Sequence, residues 1–278
     1  MVNSSNIGYL GPKGTYSSKA SELYSTKLNQ VPFNSINEVL GSLKDKTCDL
    51  VIVPLENSIQ GSIVEVLDFL ADEENNYNIV DELNLNINHS IYTLKRFNDH
   101  NFEVIFSHPQ ALGQCYKYIN NNYANVELKI SNSTADSVND LEEYNAPGAF
   151  IGPPWLKDNK KVILIGENIQ SVKNNVTRFV IISNDFRKEI THNDKTSLVI
   201  SFNGDSPGSL YNALEPFAVS QINMTKIESR PTKEKLGNYY FFIDVEGNAK
   251  DEKLSSCLSK IEKICNLKIL GSYPIFKG

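Results

Sequence analysis

The pattern of this chain changes once, and that change limits what it can fold into. Up to about residue 185, short apolar runs alternate with amphipathic helical stretches. The runs at 7–10, 50–54, 104–107, 149–152 and 162–165 read as strands, and 17–27, 63–71, 110–121 and 135–144 read as helices between them. Such alternation predicts an α/β fold with mostly parallel strands and ligand contacts at the carboxyl ends of those strands. The stretch 185–195, DFRKEITHNDK, is polar, lacks an apolar period and reads as a linker. The pattern then restarts as strand 197–202, helix 209–219, strand 224–230, a polar turn at 232–238, strand 239–246, helix 251–264 and strand 267–270. Leu210, Leu214 and Phe217 share one face of the first of these helices, and Leu254, Leu258, Ile261 and Cys265 share a stripe on the second. Tyr239, Phe241, Ile243 and Val245 alternate onto one face of a strand. That order is βαββαβ, a ferredoxin-like unit, and by itself it gives a fold class and no activity.

Composition narrows the function classes. A chain of 278 residues can bury one large core or two ordinary ones. No apolar run approaches the ~20 residues of a membrane span, and Met1-Val2-Asn3-Ser4-Ser5-Asn6 lacks the basic-then-apolar order of a secretion signal. The expected location is therefore the cytoplasm. Cys48, Cys115, Cys257 and Cys265 have no close-paired spacing and read as reduced thiols, with neither a disulfide frame nor a zinc site. The net charge of −6 opposes non-specific nucleic-acid binding, and an anionic ligand would need locally placed cations and amide donors.

In the C-terminal part, Asp205-Ser206-Pro207-Gly208-Ser209-Leu210 is followed by Ile222-Asn223-Met224-Thr225-Lys226-Ile227-Glu228-Ser229-Arg230-Pro231 and then by Leu270-Gly271-Ser272-Tyr273-Pro274. Together these resemble the ACT regulatory domain attached to aromatic amino-acid enzymes. Pro207 and Gly208 start a helix whose free N–H groups can receive a carboxylate, and Asn223 is placed to meet the amino end of the same ligand. The resemblance implies effector contacts at Pro207, Gly208, Ser209, Leu210, Asn223, Met224, Glu228, Ser229, Arg230 and Pro231. It also implies L-phenylalanine as effector, bound between subunits of a homo-oligomer. Ser209 departs from the alanine usual in that family.

The upstream region, from Gly8 to Ile182, resembles prephenate dehydratase. The matching runs are Gly11-Pro12-Lys13-Gly14-Thr15-Tyr16-Ser17, Pro54-Leu55-Glu56-Asn57-Ser58-Ile59-Gln60-Gly61-Ser62, Ser107-His108-Pro109-Gln110-Ala111-Leu112, Ser133-Thr134-Ala135 and Asn174-Asn175-Val176-Thr177-Arg178-Phe179. The resemblance implies two lobes built like those of periplasmic solute-binding proteins, crossed near 83–88 and again near 157–161. The expected division is a catalytic domain at 1–185, a linker at 186–195 and an ACT domain at 196–278, in a dimer or tetramer contacting through both domains. The first matching motif starts near Ile7, so no fused chorismate mutase is expected.

Prephenate carries two carboxylates, a keto group and a ring hydroxyl, and losing the hydroxyl with CO2 makes the ring aromatic. The resemblance therefore implies no cofactor and no metal, only help for a poor leaving group. It assigns that help to Thr177, with Arg178, Glu56 and Asn57 in the catalytic set. Thr15, Ser58, Gly61, Ser107, Gln110, Gln114, Ser133, Thr134 and Phe179 are the implied substrate contacts. Glu56 either resupplies a proton to Thr177 or caps the helix that follows. Thr177 and Arg178 alternate in a strand, so either the backbone twists there or Arg178 ties that strand to a neighbouring carboxylate. Phe179 shares the Thr177 side. His108 reads as a helix-entry residue, Trp155 as packing, and Asp136 as a first-turn acid or a specificity change. Two alternatives remain open: arogenate dehydratase, the same chemistry on the aminated substrate, and a non-catalytic amino-acid sensor.

Overall fold

A computed structural model describes residues 5–97, 101–144, 146–186, 189–202, 204, 206–233 and 237–276. Asp205 of the expected effector loop, positions 187–188 of the expected linker and 234–236 of the expected turn lie outside the described residues.

The described residues form three sheets flanked by helices. Strand β1 (Asn6–Leu10), α1 (Tyr16–Tyr24), β2 (Asn29–Phe33), α2 (Ile36–Lys44), β3 (Leu50–Asn57), β4 (Gly61–Ser62), α3 (Val64–Ala71) and β5 (Asn78–Asn86) build most of the first sheet. The chain then leaves it. Strand β6 (Ser90–Leu94), β7 (Val104–Ser107), α4 (Pro109–Asn122), β8 (Glu127–Ile130), α5 (Ser137–Tyr144), β9 (Gly148–Gly152) and β10 (Val162–Gly166) form the second sheet, ordered β10-β6-β9-β7-β8. Strand β11 (Val176–Ser183) returns to the first and completes the order β2-β1-β3-β11-β5, with β4 on β3. Strand β12 (Asp194–Ser201), α6 (Ser209–Val219), β13 (Met224–Pro231), β14 (Tyr239–Glu246), α7 (Glu252–Ile261) and β15 (Asn266–Pro274) give an antiparallel third sheet, ordered β13-β14-β12-β15.

Three expectations need correction. The sheets are mixed, not mostly parallel: β1 pairs parallel with β2 and β3, and β7 with β8 and β9, while β11 and β6 make antiparallel pairs. Alternation in sequence reveals strands and helices, but direction depends on which sheet a returning strand joins. The second crossing lies at 167–175, not 157–161, because Val162, Ile163 and Leu164 pair with Leu94, Thr93 and Tyr92 and stay in the second sheet. Finally, Asp194 and Lys195, expected in the linker, open β12.

Local chemistry sets several element starts. The Thr15 hydroxyl accepts from Ser18 N at 3.2 Å and caps α1. The Ser35 hydroxyl does the same for α2 from Glu38 N, also at 3.2 Å. His108 caps α4, its ring accepting from Gln110 N at 3.4 Å, with Pro109 in the first turn where a missing N–H is harmless.

The third sheet packs one face on α6 and α7, where Leu198, Ile200, Phe217, Ile243, Leu258 and Ile261 are buried. Its other face shares a core with the first sheet: Val199, Phe242, Leu270 and Tyr273 pack with Val53, Leu67, Ile79 and Val180. Contact is closest at Gly271 (φ +149°), where a Cβ would stand 2.0 Å from the Ile79 carbonyl oxygen, so a side chain there would drive β15 off β5. Among the described residues, no helix is long and apolar enough to cross a membrane.

Candidate active site

A cleft of about 430 Å³ opens between the first and second sheets. Its walls come from the β1–α1 turn (Thr15, Tyr16), β3 (Pro54, Asn57), the crossing after β5 (Ile87, His89), the start of α4 (His108, Gln110), the turn before α5 (Asn132, Ser133, Thr134) and β11 (Thr177, Phe179). Among the described residues, the lining contains no Lys, Arg, Asp or Glu. Burial pushes His89 and His108 below the usual histidine range; for His89 it outweighs a bond to Gln114 that favours the charged form.

Thr177 sits opposite Asn57 in the β11–β3 register, so the two side chains share a face. The Asn57 amide is fully committed. Its Oδ1 accepts from the backbone N–H groups of Ile59 (3.0 Å) and Gln60 (3.1 Å), which leaves Nδ2 to donate to Thr177 Oγ1 at 2.8 Å and to Asn175 Oδ1 at 2.7 Å. Because Thr177 Oγ1 receives that bond, its own proton is free to point into the cleft. Phe179 borders the cleft two residues on, as strand alternation expects.

The opposite face of the same strands is charged. Arg178 lies in register with Glu56 and is almost fully buried. Its Nε donates to Glu82 at 2.8 Å, Nη1 to Asp244 at 2.6 Å and to Glu56 at 3.0 Å, and Nη2 to the Tyr273 hydroxyl at 2.7 Å. Of the two arrangements open for Arg178, this is the second: it ties the Thr177 strand to carboxylates and to the third sheet, and does not reach the cleft. Burial alone would favour loss of its proton, but Tyr273, Asp244, Glu82 and Glu56 outweigh that and hold it charged. Glu56 is corrected as well. It neither feeds Thr177 nor caps a helix, because it faces away from the cleft and bonds Lys226 and Arg178. Burial would raise its pKa, yet these two cations pull it below the usual glutamate value.

Among the remaining expected contacts, Thr15, Gln110, Ser133 and Thr134 border the cleft, while Ser58, Gly61, Ser107 and Gln114 do not. The Ser107 hydroxyl is buried and donates to Ile151 O at 2.8 Å, which holds β7 to β9. The Ser58 hydroxyl donates to Asn174 O and accepts from Val176 N, clipping the segment before β11. Gly61 is exposed in β4. Gln114 lies behind the cleft wall, accepting from Asn175 Nδ2 at 3.0 Å. Ser133 donates to Asp136 Oδ2 at 2.7 Å, and its Oγ accepts from Asp136 N, so Asp136 closes the turn before α5. Trp155 packs edge-on to Tyr16 and donates to Gly14 O at 3.0 Å.

A second concavity, about 400 Å³, lies on the third sheet and is lined by Pro207, Gly208, Ser209 and Leu210 with Phe202, Tyr211, Tyr239 and Phe241. The other expected effector residues do not join it within one chain. Asn223 donates to Glu246 at 2.9 Å, and Met224 packs against the α6–α7 core. Glu228 accepts from Ser62, and Arg230 lies 3.9 Å from Asp68 of α3, so both point at the first sheet. Ser229 and Pro231 complete β13 opposite Phe241 and Tyr239.

The family model described as prephenate dehydratase matches residues 7–187. The chain belongs to the prephenate dehydratase family. A prephenate dehydratase of Methanocaldococcus jannaschii is 36% identical over 275 residues, covering 96% of this chain and 97% of the relative. Among solved structures, a prephenate dehydratase from Arthrobacter aurescens in complex with L-Phe is 29% identical, with a TM-score of 0.87, covering 97% of this chain and 90% of that one. The prephenate dehydratase from Staphylococcus aureus subsp. aureus Mu50 is 28% identical, with a TM-score of 0.83, covering 96% and 99%.

Within this prephenate dehydratase family chain, sequence reasoning missed several residues that shape the cleft. Asn175 stands in a motif without an assigned role, although it bonds Asn57. His108 is the helix-entry residue expected and also borders the cleft. Tyr16, Asn34, Gln60 and His89 border it too. Nothing local marks His89; its place at a crossing between sheets emerges only from the fold.

Proposed function

We propose that this chain converts prephenate to phenylpyruvate, a decarboxylative dehydration in phenylalanine biosynthesis, and that L-phenylalanine inhibits it through the C-terminal module. The observation that carries this reading is the Thr177 hydroxyl, which accepts from Asn57 and keeps its proton for the cleft. Receiving a hydrogen bond makes that proton a better donor, and the leaving ring hydroxyl is the group in need of one. As the bond to the carboxylate breaks, its electron pair enters the ring and the C–O bond gives way. The oxygen departs as water after taking a proton, and the proton drawn from Thr177 is replaced from solvent. A cleft without formal charge suits this step, since a cation beside the departing carboxylate would hold the ground state back. The N-terminal ends of α1 and α4, beside Thr15 and His108, offer the partial positive charge of their helix dipoles for the carboxylates instead.

The proposed organisation is a catalytic part of two lobes, like periplasmic solute-binding proteins, followed by an ACT domain from β12 onward. The L-Phe complex of the Arthrobacter relative and the Pro207–Leu210 concavity support the effector assignment. Glu228 and Arg230 are turned away from that concavity toward Ser62 and Asp68 of the same chain. The effector contacts proposed within one subunit are therefore Pro207, Gly208, Ser209 and Leu210, and a second subunit would supply the rest. The deciding experiment is phenylpyruvate formation from prephenate by the purified chain, with and without L-phenylalanine. Turnover that falls as L-phenylalanine rises is expected; no phenylpyruvate would overturn the reading, and turnover indifferent to L-phenylalanine would remove its regulatory half.

A further inference from the structure

A chain of side chains that runs from the cleft wall into the protein behind it and back has a fixed polarity. It starts at the backbone N–H groups of Ile59 and Gln60, which pin Asn57 Oδ1 and therefore point Asn57 Nδ2 at Thr177 and Asn175 Oδ1. Asn175 must then present Nδ2 to Gln114 Oε1, and it does so at 3.0 Å. The same Gln114 Oε1 lies 2.9 Å from His89 Nε2. A carbonyl oxygen only accepts, so the proton of His89 must sit on Nε2. Nδ1 is left as a bare acceptor, buried and without a partner among the described residues, and the Gln114 Nε2 donor is buried and unpartnered in the same way.

The place of His89 in the fold gives this chain a role. His89 stands at the crossing between β5 and β6. Its N–H donates to Gln170 Oε1 at 2.9 Å and its carbonyl accepts from Ile169 N at 2.9 Å, both in the return crossing at 167–175. The backbone of His89 thus joins the two crossings, and its imidazole links them through Gln114 of α4 and Asn175 to the strand that carries Thr177. Burial keeps it neutral, as a single donor requires.

We infer that His89 is a positioning residue for this reaction: as the Nε2–H tautomer it orients Gln114, and through Gln114, Asn175 and Asn57 it holds the Thr177 hydroxyl in the direction that donates to the substrate. This rests on the prephenate dehydratase reading. Losing the donor lets Gln114 and Asn175 turn over and loosens Thr177, while Thr15, Gln110, Ser133 and Thr134 keep their places in the cleft wall. Turnover is therefore affected more than substrate binding.

Two measurements test it. Nitrogen NMR of the histidine side chains of the whole chain, with His89→Leu to assign the signal, should show His89 protonated at Nε2 alone at neutral pH. Kinetics should show kcat reduced roughly 10- to 100-fold in His89→Leu, with KM little changed and most of the loss restored in His89→Asn, whose amide can donate to Gln114. Combined with Asn57→Ala, His89→Leu should add far less than its own effect, because both cut one chain. An Nδ1–H tautomer, unchanged kcat in His89→Leu, no recovery in His89→Asn, or full additivity would each overturn the inference. A wild-type chain that makes no phenylpyruvate sinks the functional reading and the role in turnover with it. The wrong tautomer in an active chain sinks the inference alone.

Discussion

Thr177 and Arg178 are consecutive in β11, and the two faces they occupy are built from different chemistry. On the Thr177 side, amides and hydroxyls meet in a cleft lined, among the described residues, by no formally charged side chain. On the Arg178 side, Arg178, Lys195 and Lys226 engage Glu82, Asp244, Glu56 and Glu228 between the first and third sheets. A reaction that expels CO2 from an anion gains from weak, neutral contacts. A junction between two sheets gains from strong, directional ones, provided each buried charge has its partner. One strand serves both because its side chains alternate, and the sheet between them keeps the cations away from the substrate.

The comparison breaks most visibly on the charged face. Arg178→Met removes four hydrogen bonds, strips buried Asp244 of its Arg178 cation and leaves buried Glu82 with Lys195 alone, which should cost about 3–5 kcal/mol of stability. Denaturant unfolding checks this, and an unchanged midpoint would show that the ion pairs hold little. Asn57→Ala acts on the neutral face. It should lower kcat by about 100-fold, as loss of a preorganised donor does, with a smaller change in unfolding midpoint than Arg178→Met.

A gentler probe is pH. Glu56 has a folded-state pKa below its unfolded value, so its contribution is present above the ordinary glutamate range and is lost as pH falls through the lowered folded value. Thermal unfolding of wild type should weaken over that acid window more steeply than that of Glu56→Gln; parallel curves would argue against the Lys226 and Arg178 pairing. The smallest effect is expected at the effector concavity. Ser209→Val removes a hydroxyl that donates to Ser206 O at 2.9 Å and adds bulk at the start of α6. The L-phenylalanine concentration for half inhibition should rise several-fold, about 1 kcal/mol, with uninhibited turnover unchanged.

Much of this division is legible in the order of residue types alone. Period two in the run around Thr177 separates Thr177 from Arg178 and pairs Thr177 with Phe179, and the folded chain has that alternation. The facing of Glu56 is not legible there, because it depends on pairing with Arg178 across 122 positions of chain. The same limit explains the misplaced second crossing, since residues 162–166 read as a strand without showing which sheet they join. Motif membership also misleads. Ser107 and Ser58 stand in motifs beside cleft residues, but their hydroxyls hold backbone in place. A motif marks a locality where fold and chemistry are constrained together, and only geometry separates the two.

In the proposed reaction the Thr177 hydroxyl acts on the departing group and contributes little to holding the substrate. Single-turnover phenylpyruvate formation, followed at increasing protein concentration for wild type and Thr177→Val, separates the two quantities. In Thr177→Val the limiting rate should fall about 10²- to 10⁴-fold while the half-saturating concentration stays the same. A limiting rate equal to wild type, reached only at higher protein concentration, would contradict that role.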